Sequence, residues 1–190
     1  GYNINGQLGN NSTTNQSSPI QIGSNLWTQV SAGYTHTIAI QTNGTLWGWG
    51  DNSSGQLGTD IPTNSPIQVG TSSWTSVSAG ALHTVAIRID GGLFTWGSDS
   101  NGQLGDNTIL NRSSPVQVGV TTNWNKLPMG QGYMGAAIKT DGNLWTWGLF
   151  GPSSSGELGW ANSSPVKISN QSWYKTQKDF EDAIRARGNK

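Results

Sequence analysis

The chain contains no cysteine. A disulfide scaffold and a thiolate metal site are therefore both excluded, and the redox compartment stays open. Charge is scarce too: Asp, Glu, Lys and Arg make up 11% of the 190 residues, well under the usual quarter. Formal net charge is zero, so nothing favours long-range attraction to nucleic acid or an anionic membrane. No apolar run approaches the roughly 18 residues of a membrane helix, and no signal peptide is visible. The charges present are unevenly placed. Residues 1–166 carry four basic and seven acidic side chains, whereas 167–190 carry six and three. The bulk of the chain is Gly, Ser, Thr and Asn, with 10 tryptophans. Disordered chains lack aromatics and carry excess charge, so this composition points to short strands joined by many turns.

One unit recurs. Gly-Gln-Leu-Gly stands at Gly6–Gly9, Gly55–Gly58 and Gly102–Gly105, and reappears as Gly-Glu-Leu-Gly at Gly156–Gly159. A proline follows each copy (Pro19, Pro66, Pro115, Pro165), and then a tryptophan (Trp27, Trp74, Trp124, Trp173). The copies lie 47 to 54 residues apart, and a period of about 50 marks a repeat architecture whose units bury their faces against one another. Residues 1–9 match the later units entered just after a tryptophan, which implies a half unit at the start and a chain that is a fragment of a longer protein.

Within one unit, Trp27–Gly33, His36–Ile40, Leu46–Trp49 and Pro66–Val69 read as four short strands. Asn43-Gly44, Asp90-Gly91 and Asp141-Gly142 are hairpin signals of the type that places both central residues at positive φ. Strands two and three are apolar on both faces, as in sheets covered on both sides. Four such strands make a propeller blade.

These residues closely resemble the repeat of the regulator of chromosome condensation. The shared string is Trp-x-x-Val-Ser-Ala-Gly-x-x-His-Thr-x-Ala-Ile, then Asp/Asn-Gly-x-Leu-x-x-Trp-Gly and Gly-Gln-Leu-Gly, over Gly1 to Trp173. The resemblance implies an all-β propeller, in that family usually of seven blades. This chain would supply a half blade at 1–23 and three blades at about 27–70, 74–119 and 124–169, with a helical tail at 174–190. The other blades would come from the same chain or from another chain.

The third unit departs from the pattern at Leu127–Gly135, which lacks the histidine, and in an insertion over Trp147–Ser155. Leu149, Phe150 and the following Trp160 are large apolar residues in a segment expected to be a loop. They form a candidate partner-binding patch, the bland reading being that they cover the unit's altered edge. Lys178–Arg187 reads as a short helix with Phe180 and Ile184 on one face and charges suited to its dipole, a candidate tail contact or a cap.

No chemistry assembles from the rest. His36 and His83 share one slot in two units, which points to a structural bond to backbone. The acidic loops lack calcium-loop spacing, and Gly-Gln-Leu-Gly lacks the phosphate-loop ending. The expectation is a protein without cofactor, metal or catalytic residue: a scaffold or protein-binding module, a structural, surface or virion component of bacterial or viral type, extracellular or virion-associated. Its partner would be a protein or neighbouring subunits of an assembly, with no nucleic acid and no membrane insertion. One alternative is nucleotide exchange on a Ran-like GTPase, as the founding member's likeness suggests; another is a lectin.

Overall fold

The computed structural model describes residues 1–130, 132–150 and 160–168; the expected tail helix, with Phe180 and Ile184, lies outside them. Those residues form eleven antiparallel strands: β1 (Trp27–Ala32), β2 (His36–Gln41), β3 (Thr45–Gly50), β4 (Thr63–Ala79), β5 (His83–Arg88), β6 (Leu93–Gly97), β7 (Arg112–Gln117), β8 (Trp124–Lys126), β9 (Met134–Lys139), β10 (Leu144–Phe150) and β11 (Trp160–Lys167). No helix occurs among the described residues. Strands β1 to β7 follow one another across one sheet, and β11-β10-β9-β8 form a second. The fold is all-β and propeller-like.

The seven-stranded sheet is two units fused by one long strand. The outer half of β4 pairs with β3, Gly48 opposite Ile67, and its inner half pairs with β5, Val77 opposite Ala86. The sequence reading placed two separate strands here. The chain instead continues as one strand through Gly70, whose φ of +59° is left-handed and marks an irregularity in the ladder. The third unit is β8 to β11, and its first strand is the shortest. Leu127-Pro128 follows directly after β8, and a proline cannot donate to a ladder.

The hairpin turns also differ from expectation. Only the glycines take positive φ, +82° at Gly44, +83° at Gly91 and +80° at Gly142. In each turn the glycine N–H bonds the carbonyl three residues back, Gly44 to Gln41 at 2.9 Å for example. The Asn43 and Asp141 side chains accept from the N–H two residues on, at 3.1 and 3.0 Å. Each is a three-residue loop closed by a glycine bulge, which needs one left-handed residue rather than two.

The second unit faces a neighbour on each side, and its strands divide the work by alternation. From β2, Ile38 and Ile40 pack with Trp74, Ala86, Phe94 and Trp96 of the second unit. One repeat on, Val85 and Ile87 of β5 pack with Trp124, Ala137 and Trp147 of the third. Aliphatic residues thus point forward and a tryptophan set points back. That set is a cluster of tilted and edge-on rings, Trp74 lying 5.4 Å from Phe94 and 5.9 Å from Trp96. Rings of this size bury roughly 150–250 Å² each, about 4–6 kcal/mol apiece in transfer terms. These two seams form the core.

Candidate functional site: the loop face

In the first two units the loop after the first strand and the loop after the third emerge on the same side, because the strands are antiparallel. That side carries the Gly-Gln-Leu-Gly loops. Each loop is closed by its own side chains: Leu57 N–H bonds Asn52 Oδ1 at 2.9 Å, and Ser54 N–H bonds Gln56 Oε1 at 2.9 Å. The same two bonds recur at Leu8 and Asn5 and at Leu104 and Asn101. The loop then docks on the following unit. Gln7 carbonyl accepts from Thr37 Oγ1 at 2.8 Å and from Trp49 Nε1 at 2.9 Å, and Gln103 carbonyl accepts from Trp147 Nε1 at 2.8 Å. Gly55, at φ +81°, lies where a Cβ would come within 2.6 Å of the Ser113 backbone. Close approach between units explains the glycine there.

Polar groups on this face serve the loops. Burial acts on Asp51 to raise its pKa, but hydrogen bonds from Ser53, Gln56 and Thr35 outweigh it and leave the carboxyl below the usual value. Asp106 is held by Arg112 at 2.8 Å. Asp99 is fully buried in the slot that Asn52 fills one unit earlier. Desolvation, with the Asp106 charge adding to it, pushes Asp99 up to about 6 against the pull of its bond from Leu104 N–H. No group of three or more metal-ligating side chains converges among the described residues.

His36 and His83 are both buried. His36 bonds a side chain, the Thr84 hydroxyl at 3.1 Å, rather than the backbone expected from the sequence. His83 has no side-chain partner; the polar group facing it is the Met134 backbone. Burial lowers both pKa values, to about 4 for His36 and about 3 for His83. A neutral, enclosed imidazole with no approach for substrate is a packing element.

What this face does present is apolar surface. Ile61 and Leu110 are 59% and 62% exposed, and each stands five residues before its unit's proline, Pro66 or Pro115. Nearer the inner strands, the exposed rings of Tyr34 and Tyr133 meet edge-on at 6.1 Å, with Met129 exposed on the same loop. The inner loops are tied across the units by Tyr34 N–H to Ala81 carbonyl (3.3 Å) and Ala81 N–H to Gly132 carbonyl (2.7 Å).

The sequence-derived patch sits differently from expectation. Leu149 and Phe150 lie in β10, not in a loop, and pair with Ala161 and Trp160 of β11. In the first unit the third strand ends at Gly50; here β10 continues two residues beyond Gly148 because β11 begins early enough to pair with it. Leu149 is half-buried. Trp160 stands five residues before Pro165, the position of Ile61 and Leu110. Sequence reading singled out Trp160 and missed the other two, although counting back from each proline would have found all three. Tyr34 had no such signal.

The chain matches the family model described as the regulator of chromosome condensation (RCC1) repeat over residues 1–40, 43–87 and 90–129, and a second model of that description over 27–56 and 74–103. Solved structures share the fold. Prp20p from Saccharomyces cerevisiae, studied for its binding to Gsp1p and histones, is 20% identical with a TM-score of 0.66, covering 79% of this chain and 40% of that one. Human WBSCR16 is 21% identical with a TM-score of 0.71, covering 88% and 46%. The chain thus spans less than half the length of either protein.

Proposed function

The chain belongs to the regulator of chromosome condensation (RCC1) repeat family, and on that premise we propose that it is a non-catalytic propeller scaffold whose loop face binds protein. The observation that carries this reading is the repeated exposure of Ile61 and Leu110 at one register position, on loops fixed to a rigid neighbour by their own hydrogen bonds. Exposed apolar side chains on rigid supports suit contact surfaces. The polar side chains support the same reading, since half-buried Asp51 and Asp106 and buried His36 all serve loop or seam bonds. Low charge and a surface rich in Ser, Thr and Asn favour a structural part of an assembly, extracellular or particle-borne, and the remaining blades of a ring would come from this protein or from a neighbouring subunit.

The test is cross-linking in the native setting with Ile61→Asp and Leu110→Asp together. A protein captured by the unaltered chain and lost from the variant supports the reading; capture that persists overturns it. Accelerated nucleotide release from a Ran-type GTPase would instead favour exchange activity. Glycan binding lost in the same variant would favour a lectin.

A further inference from the structure

The two seams differ in what they do with the same polar positions. Between the first and second units, Gln29 spans to Val77, donating to its carbonyl and accepting from its N–H, both at 3.0 Å. Ser31 Oγ accepts from Ala79 N–H at 2.9 Å. His36 meets Thr84 Oγ1, which in turn donates to the Gln56 carbonyl at 2.8 Å. One repeat on, the counterparts of Ser31 and His36 are Ser78 and His83. Both are fully buried; the Ser78 hydroxyl has no partner, and His83 has no side-chain partner, only the Met134 backbone.

The third unit explains the loss. Where Ala79 N–H meets Ser31, the matching position one repeat on is Met129, exposed on its loop, and its N–H does not bond the Ser78 hydroxyl. Gly135 stands in the slot of Thr84 and has no hydroxyl. The slot cannot hold a larger residue either, because a Cβ on Gly135 would overlap the ring of the buried Trp147. This seam keeps its apolar packing, the Ala81–Gly132 bond and the Trp147–Gln103 bond. It has lost the side-chain hydroxyl that meets the histidine of the first seam.

The surroundings of His83 make the consequence specific. His36 faces it from the first unit and disfavours its charge; a hydrogen bond to the Met134 backbone, from β9, favours it. The Asp51 charge acts on His36, and no carboxylate acts on His83 among the described residues. A proton on His36 has the Thr84 oxygen and the Asp51 field to meet it. A proton on His83 meets no comparable counter-charge, and an unpaired charge in an apolar interior is relieved only by letting water in.

We propose that the seam between the second and third units is an acid-released joint: protonation of His83 frees the third unit before the first two separate. The opened joint would expose β5 and the tryptophans of the third unit, so acid would change which surfaces the scaffold displays.

The absence of native cysteine makes the test clean. A thiol is introduced by Ser78→Cys at the weak seam or by Ser31→Cys at the strong one, and its labelling rate by a pyridyl disulfide, reactive in acid, is followed. Opening coupled to a histidine that titrates normally once exposed should accelerate Ser78→Cys labelling about tenfold or more between about pH 7 and about pH 4.5. Ser31→Cys labelling should rise by a smaller factor over the same range, because a proton on His36 keeps the Thr84 oxygen and the Asp51 field. Adding His83→Gln to Ser78→Cys should remove the acceleration. The proposal is overturned if the two thiols gain reactivity equally, if neither gains, or if the gain at Ser78→Cys survives His83→Gln. The two-reporter comparison stands alone should the glutamine variant not fold.

Discussion

The Nε2 atom of His36 lies 3.1 Å from the Thr84 hydroxyl oxygen, across a seam between units and 48 positions along the chain. Each residue opens the second strand of its own unit or sits one step inside it. The bond therefore forms only because the repeat brings equivalent positions of neighbouring units side by side. It is the smallest example of how this chain turns periodicity in sequence into contact in space.

Replacing Thr84 with valine keeps the volume and removes the hydroxyl. Thr84 is fully buried, so the His36 nitrogen and the Gln56 carbonyl would both be left without their partner. An orphaned buried polar group costs about 1–3 kcal/mol. Thr84→Val should lower the urea midpoint accordingly with the m value unchanged. A loss under about 0.5 kcal/mol would show that this bond does not hold the seam.

Asp99→Asn should stabilise the protein at neutral pH. In the preceding unit, Asn52 donates through Nδ2 to the Thr59 carbonyl at 2.6 Å and accepts from Leu57 N–H; a carboxylate at Asp99 can do only the second. Its pKa is raised to about 6 from 3.8, so the folded state holds a proton more tightly than the unfolded chain, and wild-type stability falls as pH rises from about 4 to 6. The gain from Asn should be about 1–3 kcal/mol at pH 7 and shrink as pH falls through that window. An equal gain at pH 7 and pH 4, or none, would contradict the assignment.

Much of this was legible before any coordinates, for a physical reason. Gly-Gln-Leu-Gly, the tryptophans and the Asn-Gly or Asp-Gly turns are local signals, and repetition multiplies each of them. What the sequence hid was mostly non-local. That β4 runs unbroken through Gly70 depends on how two units are set beside each other, and no residue in Val69–Ser73 announces it. The hairpins took a glycine bulge because a single left-handed residue suffices, a choice between turn types that an Asn-Gly pair does not determine. Leu149 and Phe150 were read as loop because the insertion lies where other units turn, whereas their pairing depends on where β11 begins. The missing hydroxyl partner of His83 follows from Gly135, 52 positions further along the chain. Ile61 and Leu110 needed only alignment on the proline.

Acid should weaken the fold through its two histidines. Their folded pKa values, about 4 and about 3, lie below the unfolded 6.5. Below pH 6.5 the unfolded chain therefore binds more protons. The stabilisation is complete above that pH and is lost progressively toward pH 4 and 3, by an amount on the order of several kcal/mol. Asp99 opposes this between pH 6 and 3.8, since its pKa is shifted the other way. Urea midpoints measured from pH 7 to pH 4 should fall, and His83→Gln should flatten the decline. A flat profile in the unaltered protein would mean the histidines are hydrated rather than enclosed.

Gly135→Ala tests why the weak seam stays weak. The added methyl would overlap the Trp147 ring, which is fully buried and donates to the Gln103 carbonyl at 2.8 Å. The ring cannot swing aside without breaking that bond and leaving the apolar cluster of Val85, Ile87, Leu93 and Trp124. Overpacking of a close-packed site costs about 1–3 kcal/mol, and the Trp147 emission should shift to the red as the ring meets water. In a background with Trp147→Phe, which clears part of the ring, the same substitution should cost less. If Gly135→Ala is neutral in the unaltered protein, the glycine is not what excludes a hydroxyl from this slot, and the missing hydroxyl partner of His83 would need another cause.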